Sequence, residues 1–268
     1  QPNAMGGREV GGLANQLAVH MDIDNVQDQK DLKTFWQSPT MCEKQGLKAV
    51  DLFNAIGDGK VKAVWIMATN PVVSLPDADK VKSALSNCEL VVVSDCIAET
   101  DTTAFAHIKL PATTWGEKDG TVTNSERRIS RQRSFLSPPG QARHDWRIIC
   151  DVAKRMGFGE QFDYQGPVDI FREYAKLSDY KNDGKRDFDI SLVADISEEG
   201  YDNWTPTQWP ITRRAPTGTQ RMFDDGRFFT PDKKARFIPV TAALPANASD
   251  SDFPLTLNTG RSRDQWHT

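Results

Sequence analysis

The spacing of apolar residues changes several times along this chain, and each change predicts an element. Val10, Leu13, Ala14, Leu17, Ala18 and Met21 recur at helical spacing and predict a helix over residues 8–20. A short helix is expected around residues 32–36. Ala49, Leu52, Phe53 and Ile56 predict an amphipathic one, stopped by Gly57 and Gly59. The apolar residues then close up into unbroken runs. Residues 62–68 and 90–93 read as buried strands, with Ala78, Val81, Ala84 and Leu85 marking a helix over 78–86 between them. A third short strand, 108–110, stops at Pro111. Helix, strand, helix, strand is the order of a parallel sheet with crossover helices. The expected fold class is therefore α/β, a parallel-sheet nucleotide-binding (Rossmann-like) domain with helical and irregular additions.

The rest of the chain is less regular. Residues 115–124 read as a polar loop, followed by the basic pair Arg127-Arg128. Pro138-Pro139-Gly140 breaks the chain before a helix over 146–155, for which Asp145 is a plausible N-cap and Gly157 the stop. Pro167 begins a helix over 168–177. The character changes from about residue 158, and 178–220 shows little periodicity. Trp204 and Trp209 argue that this stretch packs down as irregular structure and is no free linker. Residues 227–230 and 235–240, around Pro231-Asp232-Lys233-Lys234, read as a hairpin. The expected organisation is one domain over 1–240, a linker over 241–251, and the start of a second domain over 252–268, with a strand at 255–258 and a turn at 259–261. A strand so near the end, after a linker, implies that the chain is part of something longer.

Composition narrows the classes. A net charge of −4 gives no electrostatic reason to expect nucleic acid or an anionic membrane as partner. No apolar run approaches the roughly 18 residues of a membrane span. Cys42, Cys88, Cys96 and Cys150 form no CxxC pair, so zinc or iron–sulfur ligation within the chain is not expected. Scattered cysteines fit a reducing compartment and are read as buried free thiols.

Candidate chemistry gathers at strand ends, where open parallel sheets bind ligands. Ser94 and Asp95 follow the 90–93 strand, and an acidic residue there can accept from a ribose diol or a guanine N–H edge. Neither a GxGxxG nor a P-loop is present, so a phosphate cradle must come from other loops, Thr69-Asn70-Pro71 first among them. Asn70 either offers its amide to a ligand or closes an Asx turn. Gly6-Gly7 either brings backbone N–H groups to an anion or makes a plain turn.

QPNAMGGREVGGLANQLA, WIMATNP, VVVSDC, LPATTWGEKDGTVTNSERRISRQR and LNTGRSRDQWHT follow one another here as they do in one family. The chain resembles the molybdopterin oxidoreductases, and within them the catalytic subunits of bacterial assimilatory nitrate reductases. The resemblance covers essentially the whole chain. It implies a segment holding one of two molybdopterin guanine dinucleotides that chelate one molybdenum, plus the first strand of a C-terminal β-barrel domain. By motif match it implies cofactor contacts from Asn70, Ser94, Asp95, Lys118 and Asp145. It implies the same for the terminal run Thr259, Gly260, Arg261, Ser262, Arg263, Asp264, Gln265, Trp266, His267 and Thr268.

For Lys118 a solvated lysine, for Asp145 a pure cap, and for Trp266 and His267 core positions are the alternatives. Asp95 would select guanine, because adenine would leave it unsatisfied. Lys118 and arginines would neutralise pyrophosphate. Arg8 lies where the family's Gly-rich loop nears the active site, and either attracts an anionic substrate or is a surface arginine. The family's iron–sulfur cysteines and its protein ligand to molybdenum have no match here, so no catalytic or metal-ligating residue is assigned. The resemblance further implies nitrate as substrate, an electron-donor protein or subunit as partner, a 4Fe–4S cluster held outside this stretch, and a cytoplasmic location. The rival readings are a formate or other oxyanion oxidoreductase, and a cofactor-free scaffold like the large subunit of NADH:quinone oxidoreductase.

Overall fold

A computed structural model describes residues 3–245 and 248–257. Its first half is a parallel sheet. The chain enters through α1 (Ala4–Glu9), α2 (Val26–Phe35) and α3 (Ala49–Gly57), then forms β1 (Ala63–Met67). A one-turn helix α4 (Pro71–Ser74) and α5 (Ala78–Asn87) lead to β2 (Leu90–Asp95), and β3 (Ile108–Pro111) follows. The sheet order is β1-β2-β3, all parallel, with Ile66 opposite Val93 and Ser94 opposite Leu110. Among the described residues β1 is an edge strand.

Val81, Ala84 and Leu85 of α5 lie one helical turn apart and face inward. They close with Phe53 and Ile56 of α3 over Ile66, Val91 and Val93. Burying each such aliphatic side chain contributes about 1.5–3 kcal/mol. Asp77 caps α5 by accepting the Lys80 N–H. Helices, strands and their order match the sequence expectation here to within a few residues.

The second half is organised differently. β4 (Gly120–Thr123) and β5 (Arg128–Gln132) form an antiparallel hairpin, extended by β6 (Thr207–Gln208). The expected polar loop over 115–124 is thus half strand. Thr121, Val122 and Thr123 favour the extended state. Asn124 makes the turn, its Oδ1 accepting the N–H groups of Glu126 and Arg128, with Arg127 at φ 70°. Then come α6 (Asp145–Arg155), α7 (Pro167–Asp179) and α8 (Glu198–Asp202). Trp209, Ile211, Phe188 and Ile190, from the irregular stretch, pack with Phe171 of α7, Ile129 of β5 and Leu17 into a second core. The stretch is therefore packed, as Trp204 and Trp209 suggested, but on the antiparallel sheet and α7.

Three expectations fail. The helix over 8–20 does not form: α1 stops at Glu9, and only Ala18–His20 is helical again, as a single 3₁₀ turn. Gly11 sits at φ 77°, and a Cβ there would lie 2.5 Å from the Ala18 nitrogen, so the chain doubles back on itself. Leu17 and Met21 are buried by that fold-back, while Val10 and Leu13 are left exposed. The 227–240 hairpin is absent too. A turn joins Phe228 N–H to the Lys233 carbonyl, but Phe237, Ile238 and Val240 are exposed and unpaired among the described residues. Residues 255–257 are likewise not in a strand, and position 258 lies outside the described residues. Of the cysteines, Cys88 and Cys150 are buried as expected, but Cys42 and Cys96 are exposed.

Candidate cofactor-binding site

Four predicted residues stand around the carboxyl ends of the parallel strands: Asn70 after β1, Asp95 at the end of β2, and the Lys118–Asp145 pair beyond β3. Asp95 ends β2, half-buried. One carboxylate oxygen accepts the Ile97 N–H at 2.9 Å, and among the described residues the other has no partner. Asp95 opens onto a cleft of about 350 Å³ lined also by Lys109, Pro111, Thr114, Glu117 and Gln141. A carboxylate here is held by its own turn and presents acceptor capacity to the cleft.

Beyond β3 the chain turns through Thr114–Glu117, with a Thr-x-x-Glu capping box. The Thr114 N–H donates to Glu117 Oε2 at 2.9 Å, and Glu117 is buried. That turn delivers Lys118. Next to it, β3 is bridged to the segment before α6: Arg143 N–H donates to the Pro111 carbonyl and Thr113 N–H to the Arg143 carbonyl, both at 3.0 Å. Thr113 Oγ1 and His144 Nδ1 lie 3.3 Å apart. The bridge sets Asp145, first residue of α6, against Lys118, with Nζ to Oδ2 2.7 Å. Asp145 is not the N-cap; His144 occupies that position and makes no side-chain cap bond. The carboxylate still gains from the helix dipole, because it lies in the first turn. Its Oδ1 is buried and, among the described residues, has no hydrogen-bond partner. A buried acceptor without a donor costs about 1–3 kcal/mol, so this atom calls for a ligand N–H or O–H.

At the end of β1, Ala68 adopts φ 54° and swings the chain into Thr69-Asn70-Pro71. Asn70 makes no Asx turn. Its Oδ1 accepts the hydroxyl of buried Thr102 at 2.5 Å, and Thr102 in turn accepts the Val72 N–H. The amide is thereby oriented, with its NH₂ group not bonded to any described residue.

Ser94 departs from expectation. Successive strand residues face opposite sides, and Ser94 is fully buried, its hydroxyl accepting the Trp65 indole N–H at 2.8 Å. Its carbonyl accepts the Ala68 N–H at 3.0 Å, so the residue is taken up by the sheet and its turn. Arg127 and Arg128 do not serve a phosphate either. Arg127 donates to the carbonyls of Trp209, Thr219 and Gln220, and Arg128 to Glu126 and the Pro206 carbonyl. Gly6 and Gly7 lie inside α1 and make neither an anion loop nor a plain turn; a Cβ on Gly6 would collide with the Asn3 side chain, while Gly7 has open space. The run Thr259–Thr268 lies outside the described residues. Sequence reasoning missed Thr102, Thr113 and Glu117; only the last had a signal, the Thr-x-x-Glu spacing.

A family model described as molybdopterin oxidoreductase matches residues 4–155, which include all five of the described candidate residues. The chain belongs to the molybdopterin oxidoreductase family. It is 53% identical to a nitrate reductase of Klebsiella oxytoca over its whole length, and covers 30% of that relative. It is 31% identical to the F420-dependent formate dehydrogenase subunit alpha of Methanocaldococcus jannaschii, covering 37% of it. The chain thus spans about a third of the length of the curated relatives it matches. Among solved structures, acetylene hydratase from Pelobacter acetylenicus superposes with a TM-score of 0.50 at 22% identity, over 69% of this chain and 23% of that one, a likeness of fold.

The family implies a molybdenum–pterin cofactor, and the groups present fit the organic part of one. Among the described residues Asp145 Oδ1 lacks a donor, Lys118 beside it carries a cation for a phosphate, and Asp95 and Asn70 offer acceptor and amide at neighbouring strand ends. When bound, such a cofactor would supply the redox-active metal, and Asp95, Asn70, Lys118 and Asp145 are the residues that would hold its organic portion. Among the described residues no group of three metal-ligating side chains converges. No described helix is long and apolar enough to cross a membrane.

Proposed function

We propose that this chain is the part of a molybdenum-dependent nitrate reductase that holds one molybdopterin guanine dinucleotide. The observation that carries this is the gap between 53% identity to a nitrate reductase and 31% to a formate dehydrogenase, each over the whole chain. In this reading Asp95 takes the guanine N–H edge, Lys118 neutralises a phosphate, Asp145 accepts through Oδ1, Asn70 donates its amide, and Thr259–Thr268 completes the site. Arg8, exposed on α1 and without a carboxylate partner among the described residues, attracts the anionic substrate. The enzyme reduces nitrate to nitrite by oxygen-atom transfer in the cytoplasm. Electrons come from a donor protein through a 4Fe–4S cluster held by other parts of the polypeptide.

The test is made on the full-length enzyme. Asp95→Ala is expected to lose one of two guanine nucleotides per molybdenum, measured on the released nucleotides, with the apo-protein fold retained. Full nucleotide content in that variant removes Asp95 from the site. Assay with nitrate against formate decides between the two activities. Among the described residues Asp145 Oδ1 has no donor, which favours a bound ligand over a scaffold without cofactor.

A further inference from the structure

Glu9 is the most deeply buried carboxylate among the described residues, at 0% exposure, and the site above does not use it. It accepts three side-chain hydrogen bonds. Trp209 Nε1–H reaches Oε1 at 2.5 Å; the Thr123 hydroxyl and the Tyr174 hydroxyl reach Oε2 at 2.9 and 3.1 Å. The donors stand on three separate segments: β4, α7 and the strand-like stretch before Ile211. A second tie runs beside it, from the Thr123 N–H to Asn3 Oδ1 at 2.9 Å. Among the described residues no lysine or arginine pairs with Glu9. His20 sits edge-on to the same indole, 5.7 Å between ring centroids, and pairs with Asp187.

Burying a carboxylate with no cation beside it is costly, and an apolar residue would fill the space more cheaply. What three directional bonds add over a leucine is orientation. They fix both the depth and the rotation of α1. Arg8 is the adjacent residue on that helix, and it is held outward. Beyond it the chain has no slack: Cβ atoms on Gly11 and Gly12 would meet backbone at 2.5 and 2.8 Å.

We infer that Glu9 is a positioning residue for the anionic substrate: it acts through α1 by fixing where the Arg8 guanidinium stands. The inference rests on the nitrate-reductase reading above. It is tested on the cofactor-loaded full-length enzyme by steady-state kinetics with nitrate. Glu9→Gln keeps the shape but weakens the acceptor. It is expected to raise KM roughly tenfold while kcat changes less than about twofold, because a displaced binding group costs substrate capture. Trp209→Phe, which removes only the indole N–H and keeps a ring in the core, is expected to move KM in the same direction.

In an Arg8→Ala background Glu9→Gln is expected to add nothing further, since the two act as one unit. Unchanged KM in both single variants overturns the inference, as does a full additional rise in the Arg8→Ala background. A wild-type enzyme that does not reduce nitrate at all overturns the underlying reading instead.

Discussion

The core around Val91 and Val93 and the core around Trp209 solve the same burial problem with different materials. The first draws every buried member from residues 53–93 and contains aliphatic side chains, one phenylalanine and a thiol. The second gathers residues from 17 to 211, and at its heart lie Glu9, His20 and Asp187. A core made from near neighbours needs only matching apolar faces. A core made from distant segments must also close long loops, and directional polar contacts single out one closure among many.

The strongest test of that contrast is Trp209→Ala. Loss of a buried indole costs roughly 3–5 kcal/mol, and here it also strips Glu9 of its shortest hydrogen bond. Urea unfolding is expected to show the whole second core destabilised. Leu85→Ala, in the first core, is expected to cost about 3 kcal/mol by the cavity it leaves, with near-UV signals from Trp209 retained until global unfolding. Equal loss of both signals in both variants would erase the distinction.

A smaller effect is a pH dependence confined to the second core. Burial raises the Glu9 carboxyl above its usual value, against the three hydrogen bonds that lower it. The folded state therefore holds that proton more tightly than the unfolded one. Stability is lost as pH rises from the ordinary glutamate range through the raised value. Burial would also raise Asp187, but the His20 contact and the Phe188 N–H outweigh it and hold the carboxyl below its usual value. Its contribution is present above the ordinary aspartate range and disappears as pH falls through the depressed value. Stability measured from pH 3 to 8 is expected to flatten at its alkaline side in Glu9→Gln and at its acid side in Asp187→Asn. Leu85→Ala should leave the shape of the curve unchanged.

The least effect on folding is expected from Lys118→Met. The pair with Asp145 is about one-third exposed, and such bridges contribute up to about 1 kcal/mol. A melting temperature within a few degrees of the parent, beside reduced guanine nucleotide in the full-length enzyme, would mark the pair as a ligand group.

The same contrast decides what could be read in advance. β1, β2, β3 and α5 were legible because each carries its own apolar signature, and so was the placing of a cleft beside the end of β2. Asp95 was visible as an acidic residue at a strand end. The side of the sheet taken by Ser94 was not, because the burial of its hydroxyl depends on Trp65 from the neighbouring strand. The 8–20 helix was misread because Leu17 and Met21 are apolar for a fold-back that Gly11 allows, and spacing cannot distinguish the two. Glu9 gave no warning at all: its donors lie 114 to 200 residues away. The β4–β5 hairpin was legible in principle from Thr-Val-Thr, Asn124 and Ile129, but the surrounding charges masked it.

The outer flank of β1 has a consequence for handling the chain by itself. Ala-Val-Trp-Ile-Met is a short ribbon whose outer hydrogen-bonding row meets no described neighbour. Ribbons of this kind recruit further copies edge to edge and seed insoluble stacks. Lys60 and Lys62, just ahead of it, are paired with Asp58 and Glu89 at 2.9 and 3.2 Å and so leave little unbalanced charge to repel an incoming copy. Concentrated stocks of this polypeptide are therefore expected to self-associate through that flank.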